Sequence, residues 1–211
     1  MKQARELLTH IPVRPGKPRK EGLTMVMDKG LSLREAEDFA GVGSEYVDFV
    51  KLGFGTSVIT PNVDKKIKTY HEAGMTVYFG GTLFEAFIIR GLFAEYVDLL
   101  KHAGVRMVEI SDGSYEFDHS EKLQYIRKLS KDFTVISEVG SKKKNIIYTP
   151  AQWVEMMKAE LDAGSVKVIA EARESGTIGI YNDDGSVNKD LIGTISREIG
   201  FDNVLWEAPL K

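Results

Sequence analysis

The sequence predicts an α/β fold of the (β/α)8 TIM-type barrel class, and three observations lead there. Short apolar runs rich in β-branched residues recur at 23–27, 46–50, 76–79, 106–110, 134–137, 166–170 and 203–206, about 20–40 residues apart. That is the period of a βα unit rather than of a hairpin array. Between the runs lie stretches with apolar residues three and four apart, as in Phe93, Tyr96, Val97, Leu99 and Leu100, or Trp153, Met156, Met157 and Leu161, the spacing of amphipathic helices. The runs themselves are nearly continuous in apolar character, as parallel strands covered by helices require. A doubly wound sheet satisfies the same pattern. The even repeat and the lack of a G-x-G-x-x-G turn after the first run favour the barrel.

Each unit carries its own punctuation. Ser32 and Thr149 stand where helix N-caps are expected, the latter followed by Pro150 at the first helical position. Gly74, Gly104 and Gly164 follow helical stretches, where a left-handed C-cap favours glycine, and a strand begins within a few residues of each. Residues 1–22, with Arg14, Lys17, Arg19 and Lys20 among three prolines, read as a solvated arm, or alternatively as one folded over an anion or a partner subunit. The barrel domain then spans 23–211. Only seven units are countable, whereas a closed barrel usually takes about 250 residues, so either the barrel is open between the first and seventh strands or, the favoured reading, an eighth βα unit is expected beyond this sequence.

Composition narrows the function. The 211 residues carry a net charge of −3, with 43% hydrophobic and 28% charged residues, an ordinary globular mixture. An acidic balance argues against nonspecific binding to nucleic acid or to an anionic membrane. No apolar run approaches the roughly 20 residues that span a bilayer. The sequence contains no cysteine, which excludes disulfides, thiolate metal sites and cysteine nucleophiles and fits the cytoplasm. The four histidines, His10, His71, His102 and His119, all fall away from strand ends and read as structural or exposed.

In such barrels the chemistry sits at the carboxyl ends of the strands and in the following loops. Those positions hold Asp28-Lys29-Gly30, Lys51, Gly80-Gly81-Thr82 with Glu85, Glu109-Ile110-Ser111-Asp112, Glu138 followed by Lys142-Lys143-Lys144, Glu171-Ala172-Arg173-Glu174-Ser175-Gly176, and Glu207. Any one of these acids is as readily an N-cap or a surface ion pair. Acids recurring at five of seven strand ends, beside lysines and an arginine, point to a site, because buried carboxylates are costly unless paired or bound to a cation. Oxygen donors without cysteine suit a hard cation such as Mg2+. The Gly80-Gly81-Thr82 loop could present backbone N–H groups to a phosphate, or could be a tight turn.

Taken together in order, residues 23–30, 46–51 with Gly53 and Gly55-Thr56-Ser57, 80–85, 109–114, 138–140 and 173–176 closely resemble phosphosulfolactate synthase. The resemblance implies a (β/α)8 barrel and a Mg2+-dependent addition of sulfite to phosphoenolpyruvate, giving (2R)-phospho-3-sulfolactate, a carbon–sulfur lyase reaction. It implies catalytic roles for Lys142, as proton donor to C2, and for Lys51 and Arg173. It implies substrate contacts from Lys29, Gly80, Gly81, Thr82, Ser111, Ser175 and Gly176. Glu109, Glu138 and Glu171 are the expected metal ligands, with Asp28 and Glu207 beside them. Where the family usually has glycine between the sixth-strand Glu and Arg, this chain has Ala172. A homo-oligomer is the default for such barrels. The competing readings are another Mg2+-dependent enolate-type barrel enzyme, or an inactive relative that only binds.

Overall fold

The structure is a computed structural model that describes residues 7–10, 14–115, 117–141, 146–172 and 175–209. In chain order, β1 (Met25–Asp28) leads to α1 (Leu33–Gly43) and β2 (Phe49–Leu52), then α2 (Phe54–Ile59), α3 (Val63–Glu72) and β3 (Thr76–Phe79). α4 (Gly81–Ile88) and α5 (Phe93–His102) precede β4 (Met107–Ile110), followed by α6 (His119–Leu129), β5 (Thr134–Val139), α7 (Pro150–Ala163) and β6 (Ser165–Ala170). α8 (Lys189–Glu198) and a 3-10 turn (Phe201–Asn203) bring the chain to β7 (Val204–Trp206). Each strand lies within three residues of the run that predicts it. The ladders between these strands are parallel, in the orders β1-β2-β3 and β4-β5-β6-β7. β3 and β4 lie beside each other without a shared ladder.

The caps form for the reasons the sequence suggests. Ser32 and Thr149 each close a capping box, with Glu35 and Gln152 respectively, so two orphan N–H groups are satisfied at each helix start. Gly74 and Gly104 turn the chain at φ 70° and 68°, a conformation that costs a side chain dearly.

Successive strand side chains point to opposite faces, and the packing sorts them by parity. Val50, Leu52, Val77, Phe79, Val108, Ile110 and Val135 pack against helix residues such as Ile67, Tyr96, Leu100 and Ile126. Val139, Val168, Ala170 and Val204 pack against Trp153, Met157, Leu191 and Ile195. The opposite parity forms a separate cluster of Tyr78, Met107, Ile136, Ile169 and Leu205, with Met25 and Phe49 against it. Because this cluster draws residues from both sheets, the two sheets wrap one interior, which is barrel architecture.

Three of the arm's basic residues, Arg14, Lys17 and Arg19, are anchored rather than solvated, while Lys20 is exposed. Arg19 Nε lies 3.0 Å from Asp48 Oδ1 and Arg14 3.3 Å from Oδ2. Lys17 Nζ donates to the carbonyls of Ser44 and Val47 at 2.9 and 2.6 Å. These contacts sit at the amino end of β2, away from the strand ends where the site lies. Among the described residues no helix is long and apolar enough to cross a membrane.

Candidate active site

Two residues beyond five of the apolar interior positions, the inward parity delivers a charged group. Phe49 is followed by Lys51, Met107 by Glu109, Ile136 by Glu138, Ile169 by Glu171, and Leu205 by Glu207. The apolar floor therefore carries a ring of one ammonium and four carboxylates. Lys51 Nζ lies 2.9 Å from Glu109, 3.6 Å from Glu138 and 3.6 Å from Glu207. Carboxylate oxygens of Glu138, Glu171 and Glu207 all lie within 4.8 Å of one another.

Burial and mutual repulsion set the proton affinities here. Burial alone would lower the Lys51 pKa, but Glu109, Glu138, Tyr78 and Glu207 outweigh it and hold the ammonium well above its ordinary value. Glu207 moves the other way. Burial first, and Glu138 next, push its carboxyl up to about 7, against the opposing pull of Lys51. Among the described residues the ring holds four acids against one lysine, and buried carboxylates in such excess want a further cation. The oxygen donors of Glu138, Glu171 and Glu207 fit a hard divalent ion such as Mg2+. One oxygen of Glu109, buried and without a hydrogen-bond partner among the described residues, points to the same need.

The frame around the ring is tight. Glu109 Oε1 also accepts the Gly81 N–H at 2.6 Å. A Cβ on Gly81 would stand 2.7 Å from Ser111 Cβ and 2.9 Å from Glu109 Oε1, so glycine is required by close approach. Gly80 brings its Cα against Lys51, and its N–H donates to Leu52 O at 2.9 Å. Both glycine N–H groups are thus committed within the protein, with Gly80 as the N-cap and Gly81 as the first residue of α4. Ser111 donates its hydroxyl to Glu85, which also accepts the N–H of Ser114 and of Tyr115 and so fixes the loop after β4. Ala172, in place of the family's glycine, donates its N–H to Glu207 at 2.9 Å.

Of the expected metal ligands, the structure brings Glu109, Glu138 and Glu171 into the ring, and Glu207 joins them as a full member. Asp28 is elsewhere. It shares parity with Val26, so it faces the helix layer, where it pairs with Lys66 at 2.7 Å and accepts from Tyr70 Oη and from the N–H groups of Gly30 and Leu31. Those contacts hold its carboxyl below the usual range although burial opposes them. Lys29 is exposed, Thr82 is half-buried on the first turn of α4, and Gly176 is buried beside an exposed Ser175 whose hydroxyl pairs with Thr177. Lys142 and Arg173 lie outside the described residues. His119 is structural, as its position suggests, and bonds Glu160 at 3.1 Å.

Sequence reasoning missed Lys122. Its buried ammonium reaches Glu138 O at 2.6 Å, Glu160 at 2.8 Å and Asp112 at 2.9 Å, tying α6 and α7 to the end of β5. A lysine in mid-helix gives no signal of this. Tyr78 reads in sequence as an ordinary core residue, yet it faces inward directly beside Lys51 in the β2–β3 register.

Comparison with known proteins agrees with this geometry. Among solved structures, 3-hexulose-6-phosphate synthase superposes with a TM-score of 0.57 at 14% identity, covering 90% of this chain and 81% of that one. The YdjI aldolase from Escherichia coli K12 gives 0.55 at 11% identity, over 85% of this chain and 63% of that one. Both likenesses speak to fold alone. Phosphosulfolactate synthase of Bacillus subtilis (strain 168) is 38% identical over 204 residues, covering 95% of this chain and 81% of that protein. The Methanothermobacter thermautotrophicus protein of the same name is 38% identical over 206 residues, covering 95% and 80%. The family model for (2R)-phospho-3-sulfolactate synthase (ComA) matches residues 12–211, and with these relatives it shows that the chain belongs to the phosphosulfolactate synthase family.

Proposed function

We propose that this chain catalyses the Mg2+-dependent addition of sulfite to phosphoenolpyruvate, giving (2R)-phospho-3-sulfolactate, as a carbon–sulfur lyase. The observation that carries the proposal is the buried ring of Lys51, Glu109, Glu138, Glu171 and Glu207 in a chain of this family. Both reactants are anions, and a site rich in carboxylates repels them unless cations intervene. Glu138, Glu171 and Glu207 would hold Mg2+, with Glu109 beside them; bound there, the ion supplies Lewis-acid stabilisation of charge developing on the substrate carboxylate.

The chain's own residues do the rest. Lys51, kept charged by its acidic neighbours, offers an ammonium to the substrate carboxylate and offsets part of the ring's charge. In the reaction the sulfur lone pair forms the C3–S bond, the C2–C3 π bond breaks, and C2 takes a proton. Lys142, in the segment after β5, is the proposed donor of that proton, and Arg173, after β6, a partner for substrate anions. Lys29, Thr82, Ser175 and Gly176 stay in the proposal as contacts from the loops, with Ser111 supporting them through Glu85. Lys29, Thr82, Ser111, Ser175 and Gly176 each follow a strand end, the rim on which such barrels carry their chemistry. A cytoplasmic, homo-oligomeric enzyme that binds neither nucleic acid nor membrane completes the reading.

The test is direct. Purified protein is incubated with phosphoenolpyruvate, sulfite and Mg2+, and loss of the enol absorbance is followed. Loss that needs both sulfite and Mg2+ is the expected result. No sulfite-dependent loss would remove the assignment, and loss without sulfite would point to a different reaction of the same enol.

A further inference from the structure

Beneath the charged ring lies Tyr78, fully buried and held by Met107, Ile136, Ile169 and Leu205. Its backbone partner across the ladder is Lys51, so both side chains enter the interior from neighbouring strands at one level. Tyr78 thus belongs to the apolar cluster and also stands beside the charged ring. Its hydroxyl has no hydrogen-bond partner among the described residues, although a buried phenol O–H ordinarily finds one. The groups that act on it electrostatically are Glu109, Lys51, Glu207 and Glu138, which are members of the same ring. Burial, followed by these acids, keeps the phenol protonated, and a protonated phenol is a donor.

We propose that Tyr78 is a ligand-contacting residue of this site. Its hydroxyl donates a hydrogen bond to an oxygen of whatever occupies the ring of Lys51, Glu109, Glu138 and Glu207, either the carboxylate of a small enol acid or a water held with the cation. The chemistry is the same in both cases: one neutral donor, rising from an apolar floor, meets an oxygen acceptor in a dry cavity. It deepens the functional reading above and rests on it for the identity of the occupant. A donor at this place would fix the height at which the acceptor sits, since the ring of Tyr78 cannot move without disturbing four core side chains.

Tyr78→Phe removes one oxygen and leaves the packing intact. The full chain and this variant are compared by thermal melting alone, with Mg2+ alone, and with Mg2+ plus phosphoenolpyruvate, and by kcat and KM with sulfite. The proposal expects the variant to melt no lower than the wild type without ligand, because it sheds an unpaired buried hydroxyl. It also expects a loss of about three- to tenfold in affinity for the probe that supplies the acceptor, the worth of one hydrogen bond. Loss already present with Mg2+ alone marks the acceptor as water, and loss confined to phosphoenolpyruvate marks it as the carboxylate. Equal affinity for both probes within twofold overturns the proposal. So does a ligand-free variant that melts well below wild type, which would mean that the hydroxyl has a partner inside the protein. A wild type that binds these probes but consumes no enol with sulfite sinks the reaction and leaves the Tyr78 comparison to be read by melting.

Discussion

Glu207→Gln isolates the electrostatics of the ring. Burial and the neighbouring Glu138 push the Glu207 carboxyl up to about 7, from 4.5 for a free glutamate side chain. A folded-state pKa raised above the unfolded one means that the folded protein holds its proton more tightly. The carboxyl therefore costs nothing below about pH 4, costs progressively more as pH rises from 4.5 to 7, and costs its full amount above 7. At about 1.4 kcal/mol per unit, the full amount is about 3 kcal/mol. Glutamine keeps the acceptor for the Ala172 N–H and removes the charge. In EDTA the variant should match wild type near pH 4.5 and exceed it by up to about 3 kcal/mol at pH 8, read by urea unfolding across pH. Addition of Mg2+ should reverse the order at pH 8, since the wild type gains a ligand that glutamine does not supply. A stability difference that stays flat from pH 4.5 to 8, or a less stable variant in EDTA at pH 8, would refute the reasoning.

Three further substitutions separate frame from chemistry. Lys122→Met leaves Asp112 and Glu160 without their shared ammonium, and urea unfolding should show a loss of about 3–5 kcal/mol, the cost of breaking a buried ion pair. Asp28→Asn breaks the pair with Lys66, so stability should fall by a similar amount while the Mg2+ concentration for half-maximal turnover stays unchanged; a shift in that concentration would restore Asp28 to the site. Gly81→Ala forces a methyl against Ser111 and Glu109, and the overpacking should cost about 1–3 kcal/mol by thermal melting, with kcat falling as Glu109 is displaced.

Strand positions, caps and glycine turns were legible in the sequence because each has a local cause: β-branched runs, Ser32 and Thr149 with their partners three residues on, and glycines at positive φ. The acids Glu109, Glu138 and Glu171 were legible because a carboxylate ending an apolar strand wants a reason. Which way each acid points was not. Parallel strands are apolar on both faces, so the run before Asp28 does not reveal whether the side it shares with Val26 faces the helix layer or the interior. Lys66 and Lys122 were hidden for a different reason. A lysine on an amphipathic helix looks solvent-facing, and only the packing of α3 and α6 against strand ends shows that their ammonium groups are buried. Tyr78 resembled the core residues around it until its neighbour across the ladder was known to be Lys51.

The alternation along the strands has a consequence for how such a chain can vary. Loops at the rim can gain or lose residues at little cost, because their ends hardly move. A single residue added or removed inside β2, β5 or β6 is different in kind. It rotates the strand end by half a repeat, so that Leu52 or Val50 would enter the ring where Lys51 stands, and Glu138 would be driven into the helix layer in place of Val139 or Ser137. Length changes within these strands should therefore come only in pairs, while substitutions at a fixed length remain open to selection.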